Sequence, residues 1–271
     1  MTQPPPSPAS LDRDEALDWF ASPCAPPPGV HGVVAERFEY TSRGDRVPGR
    51  LLLPDGARGP FPLVLLQHGA GGSKDAPYLD AACGPWVRGG AAVASIDFPL
   101  HGERASAKLT ERALGYLAPG GAQAPEAEAL FVELVRQAAI DLARAVDGLG
   151  QLSAIDAERI AYVGFSMGAI LGAVFCAAEP RVRAAVLAIG GGGFGPHEID
   201  PARHVGRFAP RPILFVNAER DERIPRASAE ALHAAAGHPK EALWFDATHA
   251  ALPGVALKAM WVFLRRHLAL A

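Results

Sequence analysis

The sequence lacks several things, and each absence excludes a class of protein. Only three cysteines occur in 271 residues, Cys24, Cys83 and Cys176, with no C-x-x-C spacing. An odd and sparse set builds neither a disulfide framework nor a thiolate metal cage, and it fits a reducing compartment. Positive charge is not in excess: the formal net charge is −3, so the basic footprint of a nucleic-acid binder is missing. The opening residues, MTQPPPSPAS, carry no basic stretch followed by an apolar core, as a secretory signal would. The apolar stretch from Ala161 to Ala178 is interrupted by a serine and glycines and closed by charges, which suits a buried strand and helix rather than a membrane span. No H-E-x-x-H pair is present and no repeat of 20 to 50 residues is evident. A cytoplasmic protein without metal, cofactor, nucleic-acid partner or membrane span is expected; oligomeric state is not legible.

What is present is an ordinary globular composition, 49% apolar and 20% charged. Residues 1–29 are Pro-rich around one possible short helix, LDRDEALDWF, and read as an N-terminal arm, since repeated proline opposes regular pairing. Residues 30–271 read as a single domain. VVAERFEYTS and RVPGRLLLP alternate around an RGD triplet, which is read as the turn of an antiparallel hairpin rather than as an adhesion motif. From Phe61 onward the strands stop alternating. FPLVLLQHG, AAVASIDFP, RIAYVGFS, VRAAVLAIGG, RPILFVNAE and EALWFDA are apolar runs interleaved with helical stretches. That pattern predicts an α/β fold with a mostly parallel sheet covered on both faces. Trp86, Trp244 and Trp261 are assigned to the core. Two longer segments, 101–123 and 190–210, follow strand C-termini, where open α/β sheets bind ligands, and are expected to wall a pocket in place of a full cap domain.

One corner stands out. In RIAYVGFSMGAILGAVFCAAEP a strand turns into an Ala-rich helix through Gly164-x-Ser166-x-Gly168. G-x-S-x-G in that context is the nucleophile elbow of the α/β-hydrolase fold: the serine takes a strained backbone so that its oxygen projects above the sheet, and the glycines permit close approach of strand and helix. A serine hydroxyl needs a base and a carboxylate to orient it, and in this fold they follow in the order acid, then histidine. The acid is expected after the fifth run, at Asp221, with Glu219 the alternative. The base is expected after the sixth, at His249. Asp246 reads as structural, His233 and His238 sit on or just past a helix, His267 lies in the terminal helix, and His197 and His204 lie in the 190–210 segment. The Gly-rich QHGAGGSKD loop holds neither a G-x-x-x-x-G-K-[ST] nor a G-x-G-x-x-G phosphate motif. It is expected to supply one oxyanion amide at Ala70, or at Gly69 one position earlier, with Met167 supplying the other.

With HGAGGSKD, DFPLHGER, GFSMG, ERDERIP and DATHAALP in this order, residues 33 to 271 resemble the α/β-hydrolases, and more narrowly the dienelactone-hydrolase-like and prolyl-oligopeptidase-like esterases. The resemblance implies Ser166 as nucleophile, Asp221 as acid, His249 as base and the amides of Ala70 and Met167 as oxyanion donors. It also implies that D-x-P-x-H-G at Asp97 to Gly102 shapes the loop after the second parallel strand. Dienelactone hydrolases proper use cysteine where this chain has Ser166, and the residues before the hairpin are too few for the β-propeller of the peptidases. The expected activity is cleavage of carboxylic esters with small to medium acyl groups through an acyl-enzyme. Thioester, amide and acyl-transfer chemistry remain alternatives with the same triad, whereas a non-catalytic binder is disfavoured because no triad member is missing. Phe98, Leu100, Arg104 and Phe194 are the expected substrate-binding residues, with Tyr116 beside them; Arg104 and Lys74 are candidate partners for an anionic group, although each reads first as a solvated or structural charge.

Overall fold

The structure, a computed structural model, describes residues 15–116 and 125–270. In chain order the elements are β1 (Phe20–Cys24), β2 (Val33–Ser42), β3 (Asp45–Pro54), β4 (Phe61–Gln67), α1 (Pro77–Arg88), β5 (Ala92–Ile96), α2 (Ala107–Gly115) and α3 (Pro125–Leu149). Then come β6 (Ile155–Phe165), α4 (Met167–Ala178), β7 (Val182–Ala188), α5 (Pro201–His204), β8 (Ile213–Ala218), α6 (Arg226–Ala235), β9 (Lys240–Phe245) and α7 (Gly254–His267). All described strands join one sheet in the order β1-β2-β3-β5-β4-β6-β7-β8-β9. The pairings from β5 through β4 to β9 are parallel and those of β1, β2 and β3 antiparallel. The fold is thus the mostly parallel α/β architecture, with an N-terminal antiparallel hairpin, that the apolar runs imply.

The lack of alternation in the parallel strands has its physical cause in the two layers of helix. Leu63 and Leu65 of β4 pack with α3 and α4, whereas Val64 and Leu66 pack with α1 and α7 on the opposite face. Tyr162 and Val163 of β6 divide in the same way. Both faces are dry, so both sets of side chains must be apolar. The RGD triplet is the hairpin turn: Arg43 and Gly44 lie between the paired residues Ser42 and Asp45 with φ of 51° and 77°. Positive φ at both central positions is what a type I′ turn requires.

The N-terminal region departs from expectation. Phe20–Cys24 is not an unpaired arm but an edge strand, in register with residues 35–39 of β2. An edge strand bonds through only every second residue, so Pro23 is tolerated there. Residues 15–19 of the expected short helix are not helical, and 11–14 lie outside the described residues. Trp19 instead stacks on Phe38, centroids 4.7 Å apart. Of the tryptophans assigned to the core, Trp86 is buried, while Trp261 is half-buried and stacked on it at 6.1 Å. Trp244 on edge strand β9 is also half-buried, with the Arg226 guanidinium 4.3 Å from its ring centre. Among the described residues no helix is long and apolar enough to cross a membrane.

Candidate active site

β6 ends at Phe165 and α4 begins at Met167, so Ser166 alone reverses the chain. Its φ of 53° and ψ of −114° lie in a region that L-residues rarely adopt, a strain of about 1–3 kcal/mol. The surroundings hold it there: the Ser166 N–H donates to the Ala188 carbonyl at 2.8 Å, and its carbonyl accepts from Ala169 and Ile170 at 2.8 and 3.1 Å. The flanking glycines are sterically required. A Cβ on Gly164 would stand 2.2 Å from the Gly168 carbonyl oxygen, and one on Gly168 2.7 Å from that of His68.

His249, in the loop after β9, places Nε2 2.9 Å from Ser166 Oγ and Nδ1 2.9 Å from each carboxylate oxygen of Asp221. Both side chains are buried, 6% and 7% exposed, so this contact is shielded from water. A carboxylate only accepts, so the proton of the neutral imidazole belongs on Nδ1 and the Nε2 lone pair faces the serine hydroxyl. Asp221 is itself fixed, its Oδ1 accepting from the amides of Arg223 and Ile224 at 2.9 and 2.8 Å. The loops after β8 and β9 are joined by backbone bonds, Glu219 N–H to Phe245 O at 2.8 Å and Arg220 N–H to Ala247 O at 3.0 Å. Glu219 is exposed and has no hydrogen bond to His249 among the described residues, and Asp246 pairs at the surface with Arg220 at 2.8 Å. Glu222, a further carboxylate of the loop after β8, accepts the His249 backbone N–H at 3.1 Å. That bond pulls the Glu222 carboxyl below its ordinary pKa.

Gly69 and Ala70 line the same cavity as Ser166 and His249. The Gly69 N–H is taken by the Tyr78 hydroxyl at 2.7 Å, whereas the Ala70 N–H has no acceptor among the described residues. The Met167 N–H, at the first position of α4, likewise has none, as the opening amides of a helix generally do not. Behind this loop His68 is fully buried, its Nδ1–H donating to the Gly69 carbonyl at 2.8 Å and its Nε2 accepting from the Phe98 N–H at 3.2 Å. Burial pushes the His68 pKa down to about 4, so the ring is neutral. Asp97, also fully buried, takes the amides of Lys74 and Glu103 at 2.7 and 2.9 Å and the Lys74 ammonium at 3.0 Å. Gly102, with φ of 55°, passes so close that a Cβ would lie 2.2 Å from the Asp97 carboxyl carbon. The D-x-P-x-H-G stretch thus ties the loop after β5 to the one after β4.

The cavity beside Ser166 measures about 300 Å³. Its apolar wall comes from Tyr78 and Ala81 of α1, Phe165, Ile189, Leu252 and Leu257, with Arg223 the one permanently charged side chain on it among the described residues. This corrects the expected substrate residues, none of which lines it. Phe98 is fully buried in the core against His68, and Leu100 packs half-buried on the same core. Arg104 is spent on charge neutralisation, its guanidinium 2.7 Å from the buried Asp141 and 2.9 Å from Asp45. Phe194 packs in a satellite cluster with Ile170, Ile224 and Ala229, and Tyr116 stacks on Phe131. The segments expected to form the wall turn the other way. Segment 101–123 carries α2, its residues 117–123 lying outside the described residues, and 190–210 carries α5, with Ile199, Val205 and Phe208 in the core on the α3 and α4 face. His204 lies in that segment and bonds the Glu198 carbonyl, away from the cavity.

A strained serine at a strand-to-helix corner of a mostly parallel sheet, with a buried histidine and carboxylate beside it, defines the α/β-hydrolase class. Residues 117–252, half of the sequence, match the model of the dienelactone hydrolase family. The chain belongs to that family, which makes it an enzyme, a hydrolase of the carboxylesterase type. No curated protein matches the sequence significantly. Among solved structures it is similar to a cold-adapted esterase from an Arctic intertidal metagenomic library, in its polyethylene-glycol-bound form, with a TM-score of 0.75 at 21% identity over 93% of this chain and 99% of the other. An acetyl xylan esterase from a Paenibacillus species superposes with a TM-score of 0.76 at 19% identity, over 96% of this chain and 92% of the other. Acetyl xylan esterase 1 from a Thermoanaerobacterium species gives 0.66 at 17%, over 93% and 89%. At such identities these likenesses concern the fold.

Proposed function

We propose that the protein is a serine esterase that cleaves carboxylic esters of small to medium acyl groups through an acyl-enzyme. The observation that carries this reading is the His249 Nε2 to Ser166 Oγ distance of 2.9 Å, with Nδ1 of the same ring held by Asp221. Ser166 Oγ attacks the ester carbonyl carbon while His249 Nε2 takes the hydroxyl proton. The carbonyl oxygen becomes an oxyanion facing the amides of Ala70 and Met167, where each well-aimed donor is worth about 3–4 kcal/mol of barrier. His249 returns its proton to the departing alkoxide, leaving alcohol and acyl-serine. Water then attacks the acyl carbon, giving its proton to His249, and collapse of the second intermediate releases the carboxylic acid and restores the Ser166 hydroxyl. Asp221 stays ionised and stabilises the imidazolium in both halves.

The acyl range follows from the cavity, whose 300 Å³ is at the small end of ligand pockets. Two of the structural neighbours are described as acetyl xylan esterases, which supports a short acyl group. The test is turnover of p-nitrophenyl esters from acetate to palmitate by the wild type and Ser166→Ala, together with fluorophosphonate labelling. Activity highest on short esters, and both activity and labelling lost in the variant, are expected. A Ser166→Ala protein that hydrolyses at the wild-type rate refutes the reading.

A further inference from the structure

We propose that Tyr78 is a positioning residue that decides which amide of the loop after β4 faces Ser166; this rests on the serine-esterase reading above. The loop closes as a four-residue turn, with the Gly72 N–H donating to the Gly69 carbonyl at 3.1 Å. Gly71, the third residue of the turn, has φ of 74°, the sign a type II turn requires there. Three of these residues are glycines, so the turn has little stiffness of its own. Its orientation must come from outside tethers.

Gly69 carries those tethers at both ends. Its carbonyl accepts from Gly72 and from the His68 ring, and its N–H donates to the Tyr78 hydroxyl at 2.7 Å. With the Gly69 amide engaged, Ala70 is left as the donor on the cavity side. Gly69 also sits against the nucleophile: a Cβ there would lie 3.2 Å from Ser166 Cβ and 3.8 Å from its Oγ. Any rotation of the His68–Gly69 peptide is therefore felt at the reacting atom.

Tyr78 is braced for this role. It is the second residue of α1, behind Pro77, and its ring meets Phe165 edge-on at 5.7 Å and 79°. Phe165 immediately precedes Ser166, so one side chain references the oxyanion turn to the elbow. The turn comes close to the phenol at its oxygen, where a Cβ on Gly72 would lie 3.2 Å away, while Tyr78 as a whole is 43% exposed. Burial raises the phenol pKa and the Gly69 N–H opposes that rise, the net direction being upward. The group is thus a neutral acceptor throughout the working range. Removing the oxygen leaves the Gly69 N–H without its acceptor, so that only the bonds to its carbonyl hold Gly69, although the ring still packs.

Tyr78→Phe makes that deletion. On p-nitrophenyl acetate it should lower kcat by about 10- to 100-fold with KM changed by less than about threefold, short of the full loss of an oxyanion donor. The affinity of a trifluoromethyl ketone, whose hemiketal oxyanion occupies the hole, should fall by the same factor as kcat/KM, with the thermal midpoint held. Replacing Tyr78 by 3,5-difluorotyrosine, whose oxygen is a weaker acceptor of the same shape, should give an intermediate kcat below the phenol's ionisation; a mere packing role predicts no change. The inference falls if Tyr78→Phe retains kcat and ketone affinity within twofold, or if its loss tracks a lowered thermal midpoint. The two failures are distinguishable. An active wild type, a dead Ser166→Ala and an unaffected Tyr78→Phe sink the Tyr78 role alone, whereas an active Ser166→Ala sinks the esterase reading beneath it.

Discussion

Replacing Asp221 by asparagine changes one atom and tests the catalytic reading most sharply. The folded chain determines how the amide lies. The amides of Arg223 and Ile224 donate to Oδ1 at 2.9 and 2.8 Å, so the asparagine oxygen stays there and its NH₂ takes the place of Oδ2. That nitrogen then sits 2.9 Å from His249 Nδ1. Two N–H donors cannot face each other at that distance, so the imidazole moves its proton to Nε2 and presents a donor to Ser166 where it had presented a lone pair. In triad hydrolases this exchange lowers kcat about 10⁴-fold, which is about 5.5 kcal/mol of barrier. Here Oδ1 is also 2.9 Å from Nδ1 and can still accept from the original tautomer, so the loss expected is roughly 10³- to 10⁴-fold. Steady-state hydrolysis of p-nitrophenyl butyrate measures it, and the fluorophosphonate labelling rate should fall in parallel because it reports the same nucleophile. A loss below tenfold, or a larger loss from Glu219→Gln, refutes the reasoning.

Arg104→Ala leaves Asp141 fully buried without its guanidinium partner and should cost about 3–5 kcal/mol in urea unfolding with KM unaltered; a raised KM at unchanged stability would restore a substrate-binding role. Gly164→Ala drives a Cβ to 2.2 Å from the Gly168 carbonyl, and the overpacking should cost about 3 kcal/mol or more with activity lost; a stable, active variant contradicts the packing described for the elbow. Glu222→Ala frees the His249 backbone N–H and should lower kcat several-fold while Glu222→Gln, whose amide oxygen still accepts, stays near wild type; equal behaviour of the two removes the role. Stability should also fall in acid. His68 has its folded pKa depressed to about 4 from 6.5, so the stability it contributes is whole above pH 6.5. As pH falls through the window the unfolded chain gains a proton that the folded one refuses, and about 3 kcal/mol is lost by pH 4. His233, also lowered to about 4, acts in the same direction. A urea midpoint flat from pH 7 to pH 4.5 opposes this.

Some of this protein is written locally in its chain. Apolar runs of strand length spaced by helices imply a parallel sheet dry on both faces, because only unpatterned strands suit two apolar layers. The glycines around Ser166 report a backbone approach that admits no Cβ, and the loops after β8 and β9 come together because those strands are neighbours in the sheet. Other features depend on contacts between residues far apart in sequence. Pro23 argues against pairing until an edge position relieves it of a bond. Arg104 resembles a pocket cation until Asp141, buried on another element, claims it. The cavity wall draws partly on α1 and α7, which meet on one face of the sheet although most of the domain separates them in sequence. Tyr78 shows no pattern that marks it, since its partners are a glycine amide and a phenylalanine ring that only folding brings near. Periodicity and glycine placement are constraints of the backbone and can be read along the chain, whereas a pocket and a charge partner are constraints between elements, which exist only once those elements have packed.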